Sequence, residues 1–215
     1  MKKFLCSVLL CGIAAIPAIA QGGAATSGTP AAIAPQAPAS VTADSLSTFV
    51  KGAFKSNSNN LIGSAEQMPE ANYNMKIGTM TEVRTFGSML GHIINANYVF
   101  CAQAKGETSP QTIDYEKTPQ TKDQLVKAMH DAISYCSSVY DTLTDATAMQ
   151  MLTPPAGPAG PARPQLRVAI LIRNIGHNNE EYGNLIGYFR AANLVPPSTA
   201  AANAAAAAAA GRRGN

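Results

Sequence analysis

Between Ile170 and Arg190 the sequence returns to one face every three or four residues. Ile170, Asn174, His177, Glu181, Asn184 and Tyr188 fall in register along it. An α-helix brings such positions together. Ile172, Ile175, Leu185, Ile186 and Phe189 are expected to flank that face. His177 and Glu181 lie one turn apart, so an imidazole and a carboxylate can reach one metal ion from a single helix. A chain built around this stretch has to bury the stripe against other helices.

Three further stretches supply them. Leu46, Phe49, Val50, Phe54, Leu61, Ala65 and Met68 form an apolar stripe from about Thr42 that ends before Pro69. A second helix is expected from Thr79 or Thr81, with Thr79-x-x-Glu82 as a capping box, and it stops at Gly106. Its main stripe is Val83, Phe86, Leu90, Ile93, Asn97, Phe100 and Ala104, with His92 alongside. A third begins at the Thr121-x-x-Gln124 capping box and continues through Leu125, Met129, Ile133, Cys136, Tyr140 and Leu143. His130 lies off that stripe and reads as a surface histidine. The fourth helix should run from about Gln165 to Asn193, closed by Pro196-Pro197.

The connections constrain the topology. Residues 107–120 are too many for a tight turn between antiparallel neighbours, so the chain can run back along a helix and leave helices two and three parallel. The run from Pro154 to Pro164 excludes a helix interior and makes a second long connection. No strand pattern is visible. The expectation is an all-α four-helix bundle.

The remaining segments lie outside that bundle. Lys2 and Lys3, the apolar run Phe4–Pro17 and Ala18-Ile19-Ala20 have the form of a signal peptide over 1–20, cleaved before Gln21. The apolar run is short for a bilayer, and no later segment is apolar and long enough to span one. The expectation is a periplasmic or secreted protein with no integral membrane segment once cleaved. Residues 21–41, rich in Ala, Pro, Gly, Thr and Ser, read as a disordered linker, and the alanine tract of 199–215 as a disordered tail. Cleavage leaves Cys101 and Cys136, an even pair in an oxidising compartment. They form a disulfide or stay two buried thiols. A formal net charge of +3, with only 13% charged residues, gives no electrostatic case for nucleic acid.

Three segments together carry a resemblance: Glu82-Val-Arg-Thr-Phe-Gly-x3-Gly-His92, His177-Asn-Asn-Glu-x-Tyr-Gly-Asn-Leu185 and Leu194-Val-Pro-Pro-Ser198. Over residues 42–198 the chain resembles the DinB-like family. The resemblance implies up-down-down-up topology and a divalent metal held by one histidine of helix two and two of helix four. Those positions fall on His92, His177 and Glu181, the last a carboxylate where the family usually has histidine. Either the site survives as two histidines and a carboxylate, suited to Zn, Ni, Fe or Mn, or it has decayed. Asn174, Asn178 and Glu180 are neighbours that could support it. Parallel helices two and three would also bring Cys101 and Cys136 to similar depths.

The resemblance further implies either a metal-dependent transferase using small thiols such as bacillithiol or mycothiol, or a hydrolase. Export disfavours the thiol-transferase form, because those thiols are cytosolic. The other reading is a non-catalytic bundle that binds a small ligand or a metal. The catalytic residues and the small-molecule ligand stay unassigned. A homodimer is compatible with the sequence.

Overall fold

The computed structural model describes residues 44–157 and 160–213. The expected signal peptide and the linker of 21–41 lie outside the described residues. Four long helices form the bundle: α1 (Ser45–Gln67), α2 (Phe86–Lys105), α3 (Lys122–Asp141) and, after the short α4 (Asp145–Ala148), α5 (Arg167–Ala191). A final helix, α6, spans Pro197–Arg213.

Side-chain contacts fix the direction of each helix. The rings of Phe54 and Tyr140 stack 3.9 Å apart, joining the first half of α1 to the end of α3. At the other end Lys122 Nζ donates to the carbonyls of Glu66 (2.8 Å) and Met68 (2.9 Å), so α1 and α3 are antiparallel. Gly87 lies against Leu125 near the two helix starts. Cys101 and Cys136 join the far ends, so α2 and α3 are parallel. Phe86 meets Tyr188 while His92 meets His177, so α2 and α5 are antiparallel. Asn57 on α1 donates to Asn179 on α5, and Gly63 approaches Pro197 beyond the end of α5, so these two run the same way. The bundle is up-down-down-up. Its core is contributed by all four helices, among them Leu61, Leu90, Met129, Tyr140, Leu185 and Phe189.

Local sequence explains most of the boundaries. Thr121 and Gln124 make the expected reciprocal capping box, with Gln124 Oε1 accepting from Thr121 N at 2.9 Å. Gly106 ends α2 at φ 77°, where a side chain would be strained. The expected start of α2 is corrected. Thr79 and Glu82 belong to an irregular segment, and the cap is Thr85, whose hydroxyl accepts from Ser88 N at 3.1 Å. A cap works only where the following residues can bury, and Phe86 is the first such residue.

Other departures are small. The base of the Pro/Gly connection closes as a two-residue antiparallel ladder, Met151–Leu152 with Gln165–Leu166, so α5 starts at Arg167. Helix α4, not expected, is capped by Thr144, and its Asp145 accepts from Ser47 N (2.7 Å) and Leu46 N (3.2 Å), capping α1 from outside. Ile172 is exposed, because the buried face of α5 turns through Leu171 and Asn174 instead. Beyond the bundle, the alanine tract is helical in the described residues. Alanine propensity carries α6 through to Arg213, with only Pro197 of it buried.

The Cys101–Cys136 disulfide closes a loop of sequence separation 35 between α2 and α3. Replacing both cysteines with alanine should lower unfolding free energy by about 2–4 kcal/mol in denaturant titrations. Unchanged stability would mean that the bond contributes nothing to holding the fold.

Candidate metal centre

His92, His177 and Glu181 converge. One donor atom from each lies within 4.8 Å of the others. The two histidine Nε2 atoms are 3.2 Å apart. Glu181 Oε1 is 3.5 Å from His92 Nε2 and 3.7 Å from His177 Nε2. Around an ion with donor bonds of about 2.0–2.2 Å, tetrahedral donors are separated by about 3.3–3.6 Å. The three side chains therefore outline one face of such a shell, and the residues fit a divalent ion.

The donors are held by their surroundings. Glu181 is only 8% exposed, and its other oxygen accepts from Asn184 Nδ2 at 2.9 Å. His92 Nδ1 lies 2.8 Å from Glu116 Oε2, an arrangement that turns Nε2 toward the cluster. Arg84 Nε donates to the other Glu116 oxygen at 2.7 Å, and Tyr188 of α5 donates to the Arg84 carbonyl. Burial works to raise the Glu116 pKa, but the Arg84 guanidinium and the His92 ring outweigh it and hold the carboxyl below its usual range.

Glu116 is the residue that sequence reasoning missed. It belongs to the connection between α2 and α3, which runs back along α2 in contact with it. Gly91 makes that possible: a Cβ there would sit 2.2 Å from the Tyr115 carbonyl oxygen. Ser88 Oγ donates to the Glu116 carbonyl at 2.9 Å, and Tyr115 N donates to Asn95 Oδ1 at 3.2 Å. The glycine spacing before His92 and the acidic residues of the connection were the available signals, but neither identifies a partner alone.

The other candidates separate from the cluster. Asn174 and Asn178 turn inward to Asn97. Glu180 is exposed. His130 pairs with Glu66 at 2.8 Å on the surface, away from His92 and His177. His177 Nδ1 is buried with no hydrogen-bond partner among the described residues. Burial lowers the His177 pKa; Glu181 works against that, and His92 adds to it.

A cavity of about 410 Å³ opens beside the cluster, lined by His92, Ala96, Val99, Phe100 and His177 and by Asp114, Glu116 and Lys117 of the connection. The two histidines therefore border both the donor cluster and an accessible space.

A family model of the DinB superfamily matches residues 53–181. The chain belongs to the DinB superfamily. Its fold is similar to that of a DinB-like protein from Bacillus cereus, at 16% identity and TM-score 0.56, covering 69% of this chain and 93% of that one. A DinB-like protein from Bacillus subtilis is similar at 18% identity and TM-score 0.53, covering 68% and 94%. Among curated proteins, none matches.

A histidine kept neutral by burial costs stability when it must be protonated. The folded pKa of His177 lies below its unfolded value of about 6.5, so the metal-free protein should be fully stabilised above that pH and lose stability as the pH falls below it. Denaturant midpoints between pH 8 and pH 5 should show this slope, and His177→Gln should flatten it. An unchanged slope in the variant would assign the effect elsewhere.

Proposed function

We propose that this is an exported DinB-like protein that binds one divalent metal ion through His92, His177 and Glu181 and acts on a small molecule in the adjoining cavity. A metal-dependent hydrolase suits this reading better than a thiol transferase. The observation that carries it is the meeting of the three donor atoms at spacings suited to one ion, with His92 anchored by Glu116. A bound divalent ion would supply Lewis acidity at the cavity wall, lowering the pKa of a water or thiol held there. The chain's own part is to present two imidazoles and a carboxylate. Burial favours the unprotonated form of His177, the form that ligation requires. Glu181 faces two ring nitrogens beyond ordinary hydrogen-bond distance, so it is a buried carboxylate suited to a cation.

Export rests on the form of residues 1–20 and is supported by the disulfide, a bond that persists in oxidising compartments. Among the described residues no helix is long and apolar enough to cross a membrane.

The 3.2 Å contact between the two Nε2 atoms favours a second reading. One ring can donate to the other, with the other's Nδ1 proton on Glu116, giving a metal-free bundle that binds a ligand without turning it over. Metal analysis separates the two. Protein purified from a metal-supplemented periplasm should carry about one divalent ion per chain, as expected for a site of this donor set, and His177→Ala should carry none. Metal-free protein in both cases leaves only the second reading.

Glu116→Gln should keep the fold but weaken metal affinity about 10–100-fold, as loss of a carboxylate behind a ligating histidine does. Competition with a chromogenic chelator reads this directly. Unaltered affinity would remove Glu116 from the centre.

A further inference from the structure

The cavity beside the centre has an uneven chemistry. His92, Ala96 and Val99 recur at four- and three-residue spacing, so one face of α2 forms a wall that is polar at the centre and apolar beyond it. The Phe100 ring continues that wall and packs 5.7 Å from the His177 ring. Ala96 is the small residue that leaves the space open.

The polar groups of the opposite wall are already engaged with one another. Asn95 Nδ2 donates to Asp114 Oδ1 at 2.8 Å, and Asn95 Oδ1 accepts from Tyr115 N. Lys117 Nζ pairs with Asp114 at 3.3 Å. Glu116 is shared between Arg84 and His92. A phosphate group would have to approach the Asp114 and Glu116 carboxylates, and the one lysine of this wall already has Asp114 beside it. The Phe100 ring already carries the Arg173 guanidinium, 5.4 Å from its centroid, so the recognition left open is apolar contact with Ala96 and Val99 and the centre itself.

Resting on the metal-centre reading, we infer that this cavity takes a small molecule with one metal-binding group at its end, such as a hydroxamate, thiol or carboxylate, on an uncharged apolar body of about one aromatic ring. The volume accommodates it. A dry cavity of about 150 Å³ holds benzene, and this one is about 410 Å³, leaving room for the donor group. Phosphorylated compounds are selected against.

The test is calorimetric titration of the zinc-loaded full chain with benzohydroxamate, acetohydroxamate and inorganic phosphate, with zinc measured on the same samples. Burial of the ring should make benzohydroxamate bind roughly thirtyfold more tightly than acetohydroxamate, with phosphate weakest. Val99→Asn and Ala96→Gln, at half-exposed positions of the wall, should narrow the preference to a few-fold while keeping zinc. Zinc-loaded protein that binds both hydroxamates equally, or phosphate more tightly, overturns the inference and leaves the centre standing. Protein that takes up no zinc overturns the centre and the inference with it.

Discussion

Three buried amides set the register on which the rest depends. Asn97 of α2 and Asn178 of α5 pair face to face, with Nδ2–Oδ1 distances of 3.0 and 2.9 Å. Asn97 Oδ1 also accepts from Asn174 Nδ2 at 3.0 Å, and Asn97 Nδ2 also donates to the Ile93 carbonyl. Tyr140 of α3 donates to Asn174 Oδ1 at 2.9 Å, which draws a third helix into the network. All three asparagines are fully buried, and both polar atoms of each are engaged. Sliding α5 by one turn would leave several buried polar atoms unpaired, each at a cost of about 1–3 kcal/mol. In the observed register His177, next to Asn178, faces His92, five residues before Asn97.

The parallel packing of α2 and α3 adds the second half of the centre. Two parallel neighbours need a long return connection, and here that chain lies on α2 and delivers Glu116 to His92. The topology and the orientation of a histidine are thus one fact. Gly91 links them: only a residue without a side chain lets the returning backbone come so near. The disulfide holds the opposite ends of the same two helices.

Much of this was legible in the sequence. The four stripes, the Thr121 cap, the Gly106 stop and the length of the 107–120 connection each reflect local physics, and the bundle follows from them; that length only permitted parallel α2 and α3, and the up-down-down-up order came with the family resemblance. His92, His177 and Glu181 were legible only with the family resemblance beside the one-turn spacing, since a lone His92 carries no signal of its partners. Glu116 was not legible, because a connection has no period from which to read which residue turns inward. Asn174 and Asn178 looked like neighbours of the centre from their spacing on α5, whereas they meet Asn97, a partner on another helix. The Thr79 box failed for a related reason. Capping chemistry is necessary for a helix start, and the burial of Phe86 decides where it is used. α6 shows the converse, propensity alone carrying a helix that hardly packs.

The carboxylate at position 181 gives the centre its own character. It brings a negative charge and an oxygen donor into a nearly buried place, oriented by Asn184. Anomalous difference density at the metal edge, from crystals of the zinc-loaded protein, tests the central claim most directly. The account predicts one peak about 2.0–2.2 Å from His92 Nε2, His177 Nε2 and a Glu181 oxygen. A map with no peak there, or with the ion held by other side chains, would contradict it.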